Sequence, residues 1–136
     1  MKENLIHYRT CVCNINYHMV WSVKYRRKIL NAEVEAYLQE LVQEIAEDKG
    51  FTVRLFECGE GDHVYCFVSA PPKLSITAIM KYLKGISGRK LFERFPEIRN
   101  QLWKGELWNH SYYVETVGSV SEENIRRYIE HQSKAY

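Results

Sequence analysis

Long apolar runs are missing from this 136-residue chain, and no stretch approaches the roughly 18 residues that a membrane-crossing helix needs. The opening MKENLIHYRT has no apolar core of the kind a secretory leader carries, so the expected location is the cytoplasm. Cysteine is sparse, at positions 11, 13, 58 and 66. Cys11-Val12-Cys13 hints at a metal site, but no second pair stands at zinc-finger spacing. The simpler reading is of small residues alternating along a strand, with no disulfides in a reducing compartment. Proline occurs three times: Pro71-Pro72 reads as the end of a strand and Pro96 as the end of a helix. No repeat, linker or low-complexity tract divides the chain. With 46% hydrophobic residues, it is expected to form one packed domain over residues 1–136.

Charge of one sign is not in large excess either, since the net charge is +2. Its distribution is more informative. Between Lys73 and Lys104 stand Lys73, Lys81, Lys84, Arg89, Lys90, Arg94, Arg99 and Lys104, against only Glu93 and Glu97. A second basic cluster is Lys24-Tyr25-Arg26-Arg27-Lys28, whereas acidic residues gather in Glu33 to Glu47 and near the C-terminus. Local basic stretches on a nearly neutral protein suit a phosphate-binding face, and they also suit plain solvated helix surface. The candidates for such a face are Lys24, Arg26, Arg27, Lys81, Lys84 and Arg89.

Periodicity gives the order of elements. Residues 11–23 alternate Cys13, Ile15, Tyr17, Met19 and Trp21 against Asn14, Asn16, His18 and Ser22, which predicts a half-buried strand. Val34, Tyr37, Leu38, Leu41, Val42 and Ile45 form the stripe of an amphipathic helix from Asn31 to Lys49, closed by Gly50. Thr52–Cys58 and His63–Ser69 read as two strands around the turn Gly59-Glu60-Gly61-Asp62. Ser75 caps a second helix to about Phe95, with Ile76, Ile79, Met80, Leu83 and Ile86 inward; Gly85 and Gly88 either permit close approach of a backbone or a nucleic-acid strand or simply loosen it. Ser111–Val117 is a fourth strand, and Ser121 caps a last helix with Glu122 and Glu123 in its first turn. The order β-α-β-β-α-β-α predicts an α+β fold. It is a ferredoxin-like, RRM-like antiparallel sheet with helices on one face and an added C-terminal helix.

That last helix, SEENIRRYIEHQ, holds Tyr128 in mid-helix with Gln132 four residues on. Helical spacing stacks these side chains on one face, about 6 Å apart at their β-carbons. A phenol with its ordinary pKa near 10 is a poor nucleophile at neutral pH. It becomes useful against a phosphodiester whose oxygens a divalent cation polarises, and His and Gln can help hold that cation. A lone helical tyrosine is otherwise a half-buried amphipathic residue, so the neighbours decide between these readings.

Four blocks bear on that decision: YHMVWSVKYRRKIL (Tyr17 to Leu30), GDHVYCFVSAPP (Gly61 to Pro72), LWKGELWNHSYYVETVG (Leu102 to Gly118) and the final helix. Together they resemble the single-tyrosine HUH transposases of small bacterial and archaeal insertion sequences, over about residues 10–133. The resemblance implies that Tyr128 attacks a phosphate of single-stranded DNA, leaving a 5′-phosphotyrosine and a free 3′-OH. It implies that His63, from a central strand, and Gln132 hold Mg²⁺ or Mn²⁺. It also implies binding of single-stranded or hairpin DNA of element ends, and a homodimer joined through sheet edges.

The chain departs from the family at one ligand. The His-hydrophobic-His motif here reads His63-Val64-Tyr65, and the period of a strand puts Tyr65 at the second ligand's place on the same face. A neutral phenol is a weak ligand, and binding as phenolate requires a large drop in pKa. Two readings therefore stand: a working transposase with a modified metal site, and a relative that keeps DNA binding without cleavage. Outside this family, the same topology serves RNA recognition through strand aromatics, but the glycine-and-aromatic signature of that class is missing. A purely structural or regulatory domain is the third reading. His18 beside Trp21 reads as a hydrogen-bonded structural histidine and His110 as a loop residue.

Overall fold

The computed structural model describes residues 5–102 and 105–118. The expected final helix, with Tyr128 and Gln132, lies outside the described residues, as do Trp103 and Lys104.

Two short strands, β1 (Ile6–His7) and β2 (Val12–Cys13), pair antiparallel as a small separate sheet. The main sheet has β3 (Asn16–Ser22), β4 (Thr52–Gly59), β5 (His63–Ser69) and β6 (Tyr113–Val117), in the spatial order β4-β5-β3-β6 with every pair antiparallel. With α1 (Ala32–Lys49) between β3 and β4 and α2 (Ile76–Arg94) between β5 and β6, this is the expected ferredoxin-like arrangement. The antiparallel register shifts once, between Val53 and Leu55 on edge strand β4.

Local chemistry explains the helix limits. The Asn31 side chain accepts a hydrogen bond from the Val34 N–H at 2.9 Å, and Gly50 ends α1 at φ 84°, where a glycine carries no steric penalty. Ser75 caps α2 through the Ala78 N–H at 3.0 Å. Pro96 ends α2 as expected and also opens the short α3 (Pro96–Arg99), because proline lacks only an N–H that the first turn leaves unpaired.

Both helices lie on one face of the sheet. Met19 and Trp21 of β3 and Val64, Cys66 and Val68 of β5 join Leu38 and Val42 of α1 and Ile79 and Leu83 of α2 in one buried cluster. No backbone approaches Gly85 or Gly88 closely: a β-carbon at Gly88 would lie 3.6 Å from the Trp108 ring, an ordinary contact with a side chain, and at Gly85 nothing stands within 4 Å. The Trp108 Nε1–H donates to Ser87 Oγ at 2.9 Å, and its ring meets Trp21 edge to face at 5.9 Å.

Two boundaries and one burial pattern depart from the sequence reading. The strand expected over 11–23 is broken, and Cys11 falls outside β2, because the chain turns between Tyr8 and Cys11 and regains the main sheet only at Asn16. Strand β3 is covered on both faces rather than one: Val20 is buried with Leu55, Tyr65 and Phe67 in a second apolar cluster. The fourth strand begins at Tyr113 rather than Ser111. All four cysteines are free thiols, and burial pushes Cys58 up to about 12.

Candidate functional site

Register fixes the second sheet face residue by residue. On β5, His63, Tyr65, Phe67 and Ser69 stand opposite Ser22, Val20, His18 and Asn16 of β3, so these side chains share the face turned away from the helices. His63 is the first residue of β5 and pairs with Ser22 on one side and Gly59 on the other. It occupies the head of a central strand, as expected. Tyr65 lies on the same face, and its ring stacks on that of His63 at 6.2 Å between centroids and 21° between planes. Both rings are buried.

The tight turn before β5 places an acid behind the imidazole. Glu60 (φ 55°) and Gly61 (φ 74°) take left-handed conformations, and Asp62, the last turn residue before β5, is only 2% exposed. Asp62 Oδ1 lies 2.5 Å from His63 Nδ1. Its Oδ2 accepts from Lys28 Nζ at 2.9 Å and from Arg26 Nε at 3.3 Å. Burial pushes this carboxyl up, but the hydrogen bonds from Lys28 and His63 and their charges outweigh it and hold Asp62 below the usual carboxylate range. With Nδ1 donating to the carboxylate, the imidazole lone pair lies on Nε2, the arrangement found where histidine binds a metal.

The residues present fit a divalent cation in that one respect and depart from the usual set in another. Among the described residues no group of three or more His, Cys, Asp or Glu side chains is gathered to hold a metal ion. Tyr128 and Gln132, the expected nucleophile and second ligand, lie outside the described residues.

The basic candidates divide into anchored and outward-facing side chains. Lys24 is paired with Glu106, which raises the lysine pKa and lowers that of the glutamate. Arg26 and Lys28 are held on Asp62. Lys84 Nζ donates to three successive carbonyls, of Asn109 (2.6 Å), His110 (3.2 Å) and Ser111 (3.4 Å), and burial lowers its pKa. Those bonds tie α2 to the segment just before β6, where Asn109 N–H also donates to the Ser22 carbonyl of β3 at 2.9 Å. Arg27, Lys81 and Arg89 remain exposed. Arg89 lines a cleft of about 560 Å³ between α2 and the 105–110 segment, with Phe92, Arg99 and Trp108 on its walls.

His18 is fully buried, with Nδ1 3.9 Å from the Glu115 carboxylate, and burial lowers its pKa although Glu115 raises it. His110 is an exposed loop residue 3.2 Å from Glu106. Sequence reasoning assigned no role to Asp62 or Glu106. An acid immediately before the histidine of interest, at a turn, was the available signal for Asp62; nothing local marked Glu106.

A ferredoxin-like sheet with a carboxylate-oriented histidine at the head of a central strand defines a DNA-processing class among proteins of this topology only with comparison to known members. The family described as "Transposase IS200 like" matches residues 11–132. The chain belongs to that family of transposases. It is 39% identical over 124 residues to the ISDra2 transposase TnpA of Deinococcus radiodurans, covering 91% of this chain and 88% of that one. It is 34% identical over 119 residues to the transposase for insertion sequence element IS200 of Salmonella typhimurium, covering 88% and 77%. A crystal structure from D. radiodurans R1, described as that of a transposase, superposes with a TM-score of 0.76 at 35% identity over 93% of this chain and 97% of that chain. A REP-associated tyrosine transposase bound to a REP hairpin has the same fold at a TM-score of 0.58 and 11% identity, covering 91% and 67%. No helix among the described residues is long and apolar enough to cross a membrane.

Proposed function

We propose that this transposase cuts and rejoins single-stranded DNA at the ends of an insertion sequence, with Tyr128 as nucleophile. The phenol oxygen of Tyr128 attacks the scissile phosphorus and expels the 3′-oxygen, giving a 5′-phosphotyrosine. A free 3′-hydroxyl later attacks that phosphate and releases the tyrosine, so each step exchanges one phosphoester for another and no ATP is required. The observation that carries the reading is the Asp62–His63 pair at the head of β5. His63 and Gln132 would hold Mg²⁺ or Mn²⁺, together with oxygens of the bound DNA. The cation would withdraw charge from the phosphate as the phenol attacks. Asp62 orients His63, the Tyr65 ring braces it, and Gln132 would link the cation to Tyr128, four residues before it in sequence.

Single-stranded or hairpin DNA is the proposed partner. The hairpin bound to the REP-associated transposase of the same fold supports that choice. A cytoplasmic location accords with a DNA substrate. Edge strands β4 and β6 need a covering partner, which supports a homodimer through a sheet edge. A monomer by light scattering at micromolar concentration would contradict the dimer.

The second reading, a DNA-binding relative without cleavage, is favoured by one feature: Tyr65 stands where the family has its second histidine. One experiment separates the two. The full chain is incubated with single-stranded DNA from the flanks of its own gene and Mn²⁺, then run on a denaturing gel. A covalent protein–DNA band absent from Tyr128→Phe supports the first reading. Binding without any such band over a full Mn²⁺ titration supports the second.

A further inference from the structure

The segment between β3 and α1 contains an oddity that the anchoring of its cations brings out. Tyr25 (φ 60°, ψ 16°) and Arg26 (φ 55°) are consecutive left-handed residues, neither of them glycine. The only other such residue among those described is Glu60, in the turn beside Asp62. A turn with no task beyond reversing the chain would place Gly or Asn at such positions. Here the surroundings over-determine the shape. Val23 N–H donates to the Asp62 carbonyl and Lys24 N–H to the Leu107 carbonyl, both at 2.8 Å. Arg26 and Lys28 grip the Asp62 carboxylate and Lys24 pairs with Glu106.

Three of the four cations are thus committed to carboxylates, although Arg26 and Lys28 stay more than half exposed, and what remains uncommitted is specific. Tyr25 is 59% exposed, among the most exposed large apolar side chains described, with Lys24 Nζ 5.6 Å from its ring centroid. Arg27 is exposed beside it and makes no ion pair among the described residues. The segment starts two residues after Ser22, the strand partner of His63, and is clamped to Asp62, the residue that orients His63. An aromatic face held out rigidly between cations is what an unpaired base stacks on, with a neighbouring guanidinium for the phosphate.

We propose that Tyr25 is a stacking platform for one unpaired base of the DNA strand, and that Arg27 takes an adjacent phosphate, so that this loop positions the strand at the His63 end of the sheet. The inference rests on the single-strand reading given above. It makes Tyr25 a positioning residue that distinguishes unpaired from paired DNA, because a base inside a duplex cannot offer its face.

The test is fluorescence anisotropy on the full chain, using a labelled single strand from the flank of its own gene and the same sequence as a duplex. Tyr25→Ala weakens single-strand binding by about 5- to 150-fold, the loss of one base–aromatic stack, and leaves duplex binding unchanged. Tyr25→Phe binds within about twofold of wild type, since stacking needs the ring and not the hydroxyl. The salt dependence of Tyr25→Ala keeps its slope, whereas Arg27→Ala flattens it by roughly 0.7 for the one phosphate released. Tyr25→Gly lowers binding as alanine does, yet its urea midpoint does not fall, because glycine accepts the left-handed backbone. Single-strand binding by Tyr25→Ala within twofold of wild type, or an equal loss on duplex, overturns the proposal. A wild-type chain that binds the duplex alone overturns it together with the single-strand reading, whereas wild-type single-strand binding that is indifferent to Tyr25 overturns this inference only.

Discussion

Asp62→Ala is the perturbation whose cost the structure defines most closely. The carboxylate is 2% exposed and touches three donors: His63 at 2.5 Å, Lys28 at 2.9 Å and Arg26 at 3.3 Å. The two cations are themselves 63% and 53% exposed, so water replaces most of what they lose. Their share is that of surface pairs, about 0.2–1 kcal/mol each. His63 is different, because its ring is buried and Nδ1 is left without its acceptor, worth about 1.5–3 kcal/mol for a charge-assisted bond. Relief of the buried carboxylate's own desolvation offsets part of this. The expected loss is therefore about 2–4 kcal/mol, with about 1 kcal/mol for Asp62→Asn, which keeps an acceptor oxygen.

Urea unfolding at pH 7 measures it, with a double-mutant cycle to apportion it. Coupling of Asp62 to His63 should exceed coupling of Asp62 to Lys28. The pH dependence has a definite sign. The folded pKa lies below the unfolded one, so the contribution is complete above the ordinary Asp value of about 3.9 and is lost as pH falls through the folded value. The gap between wild type and Asp62→Ala should therefore be level from neutral pH down to about 4 and close below it. A loss under about 0.5 kcal/mol, or a stronger coupling to Lys28 than to His63, refutes the claim that this acid serves the imidazole.

At the ligand position, Tyr65→His should tighten Mn²⁺ binding by calorimetry and raise cleavage, while Tyr65→Phe leaves both near wild type; loss of activity in both variants would mean that the phenol has its own chemical role. For His18, burial lowers the folded pKa, so the unfolded chain takes the proton first and stability should decline as pH drops below about 6.5; a urea midpoint that stays flat from pH 7 to 5 would contradict this. Lys81→Glu and Arg89→Glu should reduce DNA affinity and its salt slope without changing stability, as both side chains are exposed. Lys84→Met should instead lower the melting temperature, because the carbonyls of residues 109–111 lose their donor; a purely DNA-binding defect would show that those bonds are unimportant.

The elements were legible because their periods differ. Alternation in Tyr17, Met19 and Trp21 and the 3.6-residue stripe of Val34, Leu38 and Leu41 each report one buried face, and both faces lie on the core. The same period of two placed His63 and Tyr65 on one face. What escaped were contacts made across long stretches of chain. Lys28 and Arg26 reach Asp62 over 34 and 36 residues, and Lys84 reaches three carbonyls 25 to 27 residues on. A basic residue that will bind a carboxylate and one that will face solvent look alike in sequence, so Lys24 and Arg27 could not be told apart. The burial of β3 on both faces was hidden for a related reason. Val20 alone interrupts a polar row, and its partners Leu55, Tyr65 and Phe67 come from two other strands.

The substitution at position 65 takes on a different meaning once the stack is considered. A histidine side chain has two soft torsions, and a ligand that must meet a cation at one point needs both restrained. The Asp62 oxygen fixes Nδ1 in the ring plane. The Tyr65 ring, nearly parallel at 21°, restrains rotation out of that plane. An imidazole held by both contacts needs little reorganisation to bind, which compensates in part for a missing second nitrogen. The phenol need not reach the cation for this, since its ring suffices. On the proposed reading, Tyr65 acts as a wall for His63 rather than as a failed ligand; a cation there would be held by fewer protein donors, and its affinity would depend more on the bound DNA.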